Sequence, residues 1–168
     1  HCIREEALPP AIRYTSAQMD VLATVELALR LHPQARRVLL VAGDASYDRD
    51  ALERALRELK GLEQKVKIET VASVSVGEMT ARLAALTADA VVLQLTVHTD
   101  AAGNAYVFRD LAAKLSSASA APMYSFYDTL MGHGIVGGNL MNREGQRPAI
   151  GEIARRLLRG ESTTNLPM

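Results

Sequence analysis

Two hydrophobic rhythms alternate along this chain. Continuous apolar runs, Arg37–Ala42 and Ala90–Leu95, read as strands buried on both faces. Val66–Val71 alternates weakly and reads as an edge-like strand. Pro122–Phe126 gives a fourth strand, and the glycine-rich stretch 132–141 predicts a loop followed by a short fifth. Between these runs, apolar residues recur at helical spacing. Thr15-Ser16-Ala17-Gln18 has capping-box spacing and predicts a helix from Ser16 to Leu31, stopped by Pro33. Beyond the loop Gly43–Tyr47, a second helix places Leu52, Ala55, Leu56 and Leu59 on one stripe. Its outer face carries Glu53/Arg57 and Arg54/Glu58, and Gly61 ends it. Ser75-Val76-Gly77-Glu78 caps a third helix with Val76, Met79, Leu83 and Leu86 inward. Val107, Phe108, Leu111, Ala112 and Leu115 mark a fourth. Ile150, Ile153, Ala154, Leu157 and Leu158 mark the last, closed by Gly160.

Strands alternating with helices of this length predict right-handed βαβ crossovers. The fold class is therefore α/β, a three-layer, Rossmann-like (doubly wound) parallel sheet. Pro9 and Pro10 mark residues 1–14 as a linker, residues 15–162 form the lobe, and 163–168 are a tail. His1-Cys2-Ile3-Arg4 is neither an initiator methionine nor an apolar leader, so the chain reads as a fragment or a processed product.

Composition narrows the possibilities. A length of 168 residues with 48% hydrophobic side chains suits one well-buried core. Nineteen basic against nineteen acidic side chains exclude a general nucleic-acid binder, which needs a positive field. No apolar run reaches the roughly 20 residues that span a bilayer, so any membrane link lies in segments outside this chain. The single cysteine, Cys2, forms no internal disulfide.

In open parallel sheets, ligands bind outside the carboxyl ends of the strands. The loops Gly43–Asp48, Ala72–Ser75, Thr96–Gly103 and Tyr127–Gly134 leave such ends. They offer Asp44, Ser46, Tyr47, Thr96, His98, Thr99, Tyr127, Asp128 and His133, a rim suited to a small polar or aromatic molecule. Taken singly, each of these residues reads equally well as a helix cap or a turn former.

Gly132-His133-Gly134-Ile135-Val136-Gly137 matches the dinucleotide fingerprint in letters only. The fingerprint needs its third glycine where a helix opens, whereas Gly138-Asn139-Leu140-Met141 continues as loop or strand. No cofactor is therefore expected, and the glycines read as turn residues. Ser125, Asp128 and His133 lack the nucleophile elbow of a hydrolytic triad. His98, Asp100 and His133 lack metal-ligand spacing. A phosphoacceptor receiver is excluded, because Gln94-Leu95-Thr96 ends the third strand without an aspartate and no lysine lies near the final strands.

The stretch Pro122-Met123-Tyr124-Ser125-Phe126-Tyr127-Asp128-Thr129-Leu130-Met131-Gly132-His133-Gly134-Ile135-Val136-Gly137-Gly138 resembles a known family. It is similar to the periplasmic-binding-protein-like sensor domains of bacterial signal transduction histidine kinases, themselves similar to type I ABC transporter substrate-binding proteins. Ala28-Leu29-Arg30-Leu31-His32-Pro33, Arg36-Arg37-Val38, the Gly43–Asp50 loop and Leu157-Leu158-Arg159-Gly160-Glu161 extend the likeness over about residues 12–162. The resemblance implies one of two Rossmann-like lobes, the carboxyl-terminal one, closing on a small solute together with an amino-terminal lobe outside this chain. Cleft-facing positions would be Ser46, Tyr47, Thr96, His98, Tyr127, Asp128 and His133. It further implies a periplasmic, extracytoplasmic setting, no enzyme activity in this segment, and kinase elements elsewhere. Alternatives are a transporter solute-binding protein, a nucleotide- or flavin-dependent enzyme on the same fold, and an interaction lobe that forms a homodimer.

Overall fold

The central strands are built from residues that only a two-sided core accepts. Val38, Leu40 and Val41 of β1 (Arg37–Val41) and Val91, Val92 and Leu93 of β3 (Ala90–Gln94) are almost completely inaccessible. Burying each such side chain contributes roughly 1.5–3 kcal/mol. The computed structural model describes residues 19–141 and 143–162. Two further strands complete the sheet, β2 (Lys67–Val71) and β4 (Met123–Tyr124). The order is β2-β1-β3-β4, and every pairing is parallel.

Helix α1 (Val21–Leu31) packs against α2 (Ser46–Leu59), and α3 (Val76–Ala84) against α4 (Phe108–Ala118). The two pairs cover opposite faces, giving the three-layer α/β architecture. These elements form one unit, Asp20–Leu140, while α5 (Arg143–Leu158) belongs to a second. Gly160, at φ 83°, closes α5 with its N–H on the Leu157 carbonyl at 2.9 Å, as the sequence predicts. Among the described residues no helix is long and apolar enough to cross a membrane.

Several local expectations change. Met19 and Asp20 are not helical, and α1 starts at Val21 because the Asp20 carboxylate caps it, accepting from Ala23 N at 2.8 Å. The capping box at residues 15–18 lies outside the described residues. Ser46 and Tyr47 open α2 instead of closing a loop, since the Asp48 carboxylate accepts from Ala45 N at 3.3 Å and organises the first turn. Val107 is 63% exposed and precedes α4, so it drops out of the buried stripe. The fifth strand shrinks to one parallel bridge between Tyr124 and Gly137. Gly132 and Gly134, at φ 80° and 97°, turn the chain back toward that bridge.

Candidate functional site

The order β2-β1-β3 places a topological switch point between β1 and β3, where consecutive crossovers leave to opposite sides. The loops above it are laced together. Gly43 N donates to the Thr96 carbonyl at 2.9 Å and Asp44 N to the Thr99 carbonyl at 2.8 Å. The loop after β2 joins them: Ser73 Oγ donates to Asp44 Oδ1 at 2.7 Å, and Ala101 N to the Val74 carbonyl at 3.3 Å. Ser73 holds φ 52°, a left-handed conformation that serine adopts only when its surroundings enforce it. Arg49 pairs with Asp44 at 3.5 Å on the outside.

Asp48 lies at the centre, fully inaccessible to solvent. Its Oδ1 meets His98 Nδ1 at 2.7 Å, and its Oδ2 accepts from His98 N at 2.9 Å as well as from Ala45 N. Gly43 is required beneath it, because a Cβ there would stand 2.3 Å from Asp48 Oδ2. Burial alone would raise the Asp48 carboxyl. The His98 side chain and backbone outweigh it and hold the group below its ordinary value, with a contribution from Thr96. The Thr96 hydroxyl is buried beside this carboxylate, although outside strict hydrogen-bond geometry.

An ionised carboxylate only accepts, so His98 carries a proton on Nδ1, and Nε2 is the nitrogen left for an outside partner. The His98 side chain is 57% exposed. The Tyr47 ring stands edge-on to it, with centroids 5.2 Å apart and planes at 89°. A fixed imidazole tautomer, backed by a buried charge and walled by an aromatic ring, is equipped to grip a polar ligand.

Asp100 plays another part. It is buried and accepts from Val76 N, Ala102 N, Asn104 N, Asn104 Nδ2 and Tyr106 Oη at 2.9–3.4 Å. Burial would raise its carboxyl, but these donors, Tyr106 first, pull it down to about 2. Because it is depressed, its contribution is complete above the ordinary value of 3.8 and is lost as the pH falls toward 2. Asp100→Asn is therefore expected to flatten the fall of Tm over that window, measured by calorimetry across acidic buffers.

Of the predicted site residues, Tyr47, Thr96 and His98 come together around Asp48. Ser46 is exposed at the first position of α2. Tyr127 is 7% exposed and packs against Phe108 at 5.1 Å and Phe126 at 4.7 Å. Asp128 opens a short 3-10 turn, Asp128–Leu130, and His133, half-buried, follows with its N–H on the Leu130 carbonyl at 2.9 Å. Ser125 is wholly buried and donates its hydroxyl to the Gln94 carbonyl at 2.9 Å, a structural bond within the sheet. Among the described residues no three His, Cys, Asp or Glu side chains form a metal-holding group.

Asp48 was the residue missed as a site candidate. Its signal was present: it falls on the stripe of Ala51, Ala55 and Leu59, a carboxylate in register with a buried apolar face. A separate open groove of about 560 Å³ runs along β2 and α3, lined by Arg37, Leu39, Lys67, Glu69, Arg82 and Leu86. It is a feature of the sheet edge and not of the rim.

No family model and no curated protein matches the chain. A solved structure described as a conserved domain protein from Vibrio cholerae O1 biovar El Tor strain N16961 is similar, with a TM-score of 0.63 and 14% identity. The match covers 90% of this chain and 49% of that one, so the chain spans about half the length of this neighbour. At that identity the likeness speaks for the fold alone: the chain is an α/β protein with a Rossmann-like, three-layer parallel sheet.

Proposed function

We propose that this chain is the ligand-sensing, carboxyl-terminal lobe of an extracytoplasmic receptor domain, that of a membrane sensor histidine kinase. It binds a small solute at the switch-point rim. The observation that carries this reading is His98, oriented through Nδ1 by buried Asp48 and open at Nε2 beside Tyr47. The sequence resemblance supports the receptor context, and the half-length match is consistent with a second lobe completing the cleft. Closure on the solute transmits a signal only if the open and closed arrangements differ in affinity for it.

The test is calorimetric titration of the complete two-lobed receptor with solutes selected by thermal shift from sugars, amino acids and aromatic acids. His98→Ala is expected to weaken binding about tenfold or more, the loss of one hydrogen bond of roughly 1.4 kcal/mol. Unchanged affinity in His98→Ala would remove the rim from consideration. A transporter solute-binding protein would use the same rim, and a permease partner in place of a kinase segment distinguishes it. A flavin absorbance band in the purified chain would favour the enzyme reading instead.

A further inference from the structure

We propose that two copies of this chain associate through the open edge of β2, pairing antiparallel about a two-fold axis at Ile68. Strand β2 ends the sheet, and among the described residues no strand pairs with its outer side. Lys67 N donates to the Arg36 carbonyl at 2.8 Å, and the Val71 carbonyl accepts from Ala42 N at 3.1 Å. Residues 67, 69 and 71 thus direct their backbone groups toward β1, and by alternation Ile68 and Thr70 direct theirs outward. Thr70 is exposed and Ile68 half-buried, so both are within reach of a partner.

Charge selects the occupant and its register. Lys67 and Glu69 lie on one face of β2, joined at 2.7 Å, with Arg37 on the other oxygen of Glu69 at 2.7 Å. Pairing about Glu69 would set two glutamates directly opposite each other, which is repulsive. Pairing about Thr70 would set Glu69 against Val71. Pairing about Ile68 makes Ile68 a hydrogen-bonded pair with its own copy and places each Lys67 opposite the other copy's Glu69 in the closer, non-hydrogen-bonded positions. The same register lets Thr70 N reach the partner's Val66 carbonyl. Val66 N is already committed to the Leu62 carbonyl at 3.0 Å. Charged residues usually blunt an exposed edge, but a strand whose charges complement their own reversal accepts a second copy and disfavours unrelated strands. The groove beside Arg37 and Arg82 lies next to this edge, with Lys67, Ile68, Glu69 and Thr70 in its lining.

Sedimentation velocity on the full chain, from about 1 μM to about 1 mM, tests the contact. The wild type is expected to move toward twice the monomer mass as concentration rises. Lys67→Glu and Glu69→Lys alone place like charges opposite and should each weaken association about tenfold or more. An equimolar mixture of the two restores both opposite-charge pairs and should associate about as well as the wild type. Ile68→Pro removes an outward N–H that serves no bond among the described residues, and should also leave a folded monomer. Circular dichroism checks the fold of each variant. If Glu69→Lys proves unfolded, Lys67→Glu and Ile68→Pro still decide the matter. A wild type that stays monomeric throughout, a dimer indifferent to these substitutions, or a mixture no tighter than its parents overturns the proposal.

Discussion

Asp48→Ala is expected to remove about 3 kcal/mol of folding stability and to lower Tm by roughly 6–12 °C, given a chain of this size. The loss has two parts. The substitution strips His98 N and Ala45 N of their acceptor at a part-buried site, where the Asp48 side chain itself is wholly inaccessible. It also frees the first turn of α2 from the loop above β3, because Asp48 is what ties residues 50 positions apart. His98→Ala should cost far less, since Asp48 would keep both backbone donors and gain a solvated side. The ratio of the two effects is thus the diagnostic quantity. Asp48→Asn sharpens it: the amide oxygen can keep both backbone donors, but its nitrogen meets His98 favourably only if the ring moves its proton to Nε2, and the buried charge that fixed the tautomer is gone. The native carboxyl is depressed, so its contribution is complete above the ordinary carboxylate range and fades as the pH falls through the lowered value. Wild type and Asp48→Asn should therefore converge in stability toward low pH. Thermal melts from neutral pH downward measure both effects, and an Asp48→Ala variant that melts with the wild type would show the carboxylate to be dispensable.

The architecture was legible because it follows from periodicity. Buried parallel strands announce themselves as unbroken apolar runs, as in Val38–Val41 and Val91–Leu93, and Ser75 caps α3 by accepting from Glu78 N at 3.2 Å, as its spacing predicts. The edge character of β2 was also visible in its mixed pattern. What failed were choices between competing local signals. A capping-box spacing at residues 15–18 drew attention from Asp20, whose carboxylate holds the helix start. Val107 fits a helical stripe by spacing alone, but the helix begins one residue later and leaves it exposed.

The candidate site was half legible for a different reason. The strand-end rule led to the loops that meet above the switch point, where Tyr47, Thr96 and His98 gather around Asp48. That rule says nothing about which polar residues turn inward. Asp48 and His98 are neighbours only because β1 and β3 are, a fact of sheet order that no local window contains. Tyr127, judged by the same rule, became part of a ring cluster with Phe108 and Phe126.

Gln94→Leu is expected to stabilise the protein by about 1–2 kcal/mol and raise Tm by roughly 2–8 °C. Gln94 ends β3 between β1 and β4, is wholly inaccessible, and has no hydrogen-bond partner at either end of its amide among the described residues. A buried amide without partners costs about 1–3 kcal/mol, whereas leucine has a similar volume and no polar atoms to satisfy. The backbone carbonyl of residue 94, which accepts from Ser125 Oγ, is untouched by the change. Gln94→Met, closer still in shape, should behave alike. A fall in Tm for both variants would mean that the amide has partners after all, an internal water being the natural one. If both variants gain stability, solute titration of the proposed two-lobed receptor separates two reasons for the glutamine. Retained affinity would mark it as a tolerated cost. Lost affinity, with His98 unchanged, would show that the protein holds an unsatisfied amide beneath the rim because ligand recognition uses it, stability being given up where function needs a polar group.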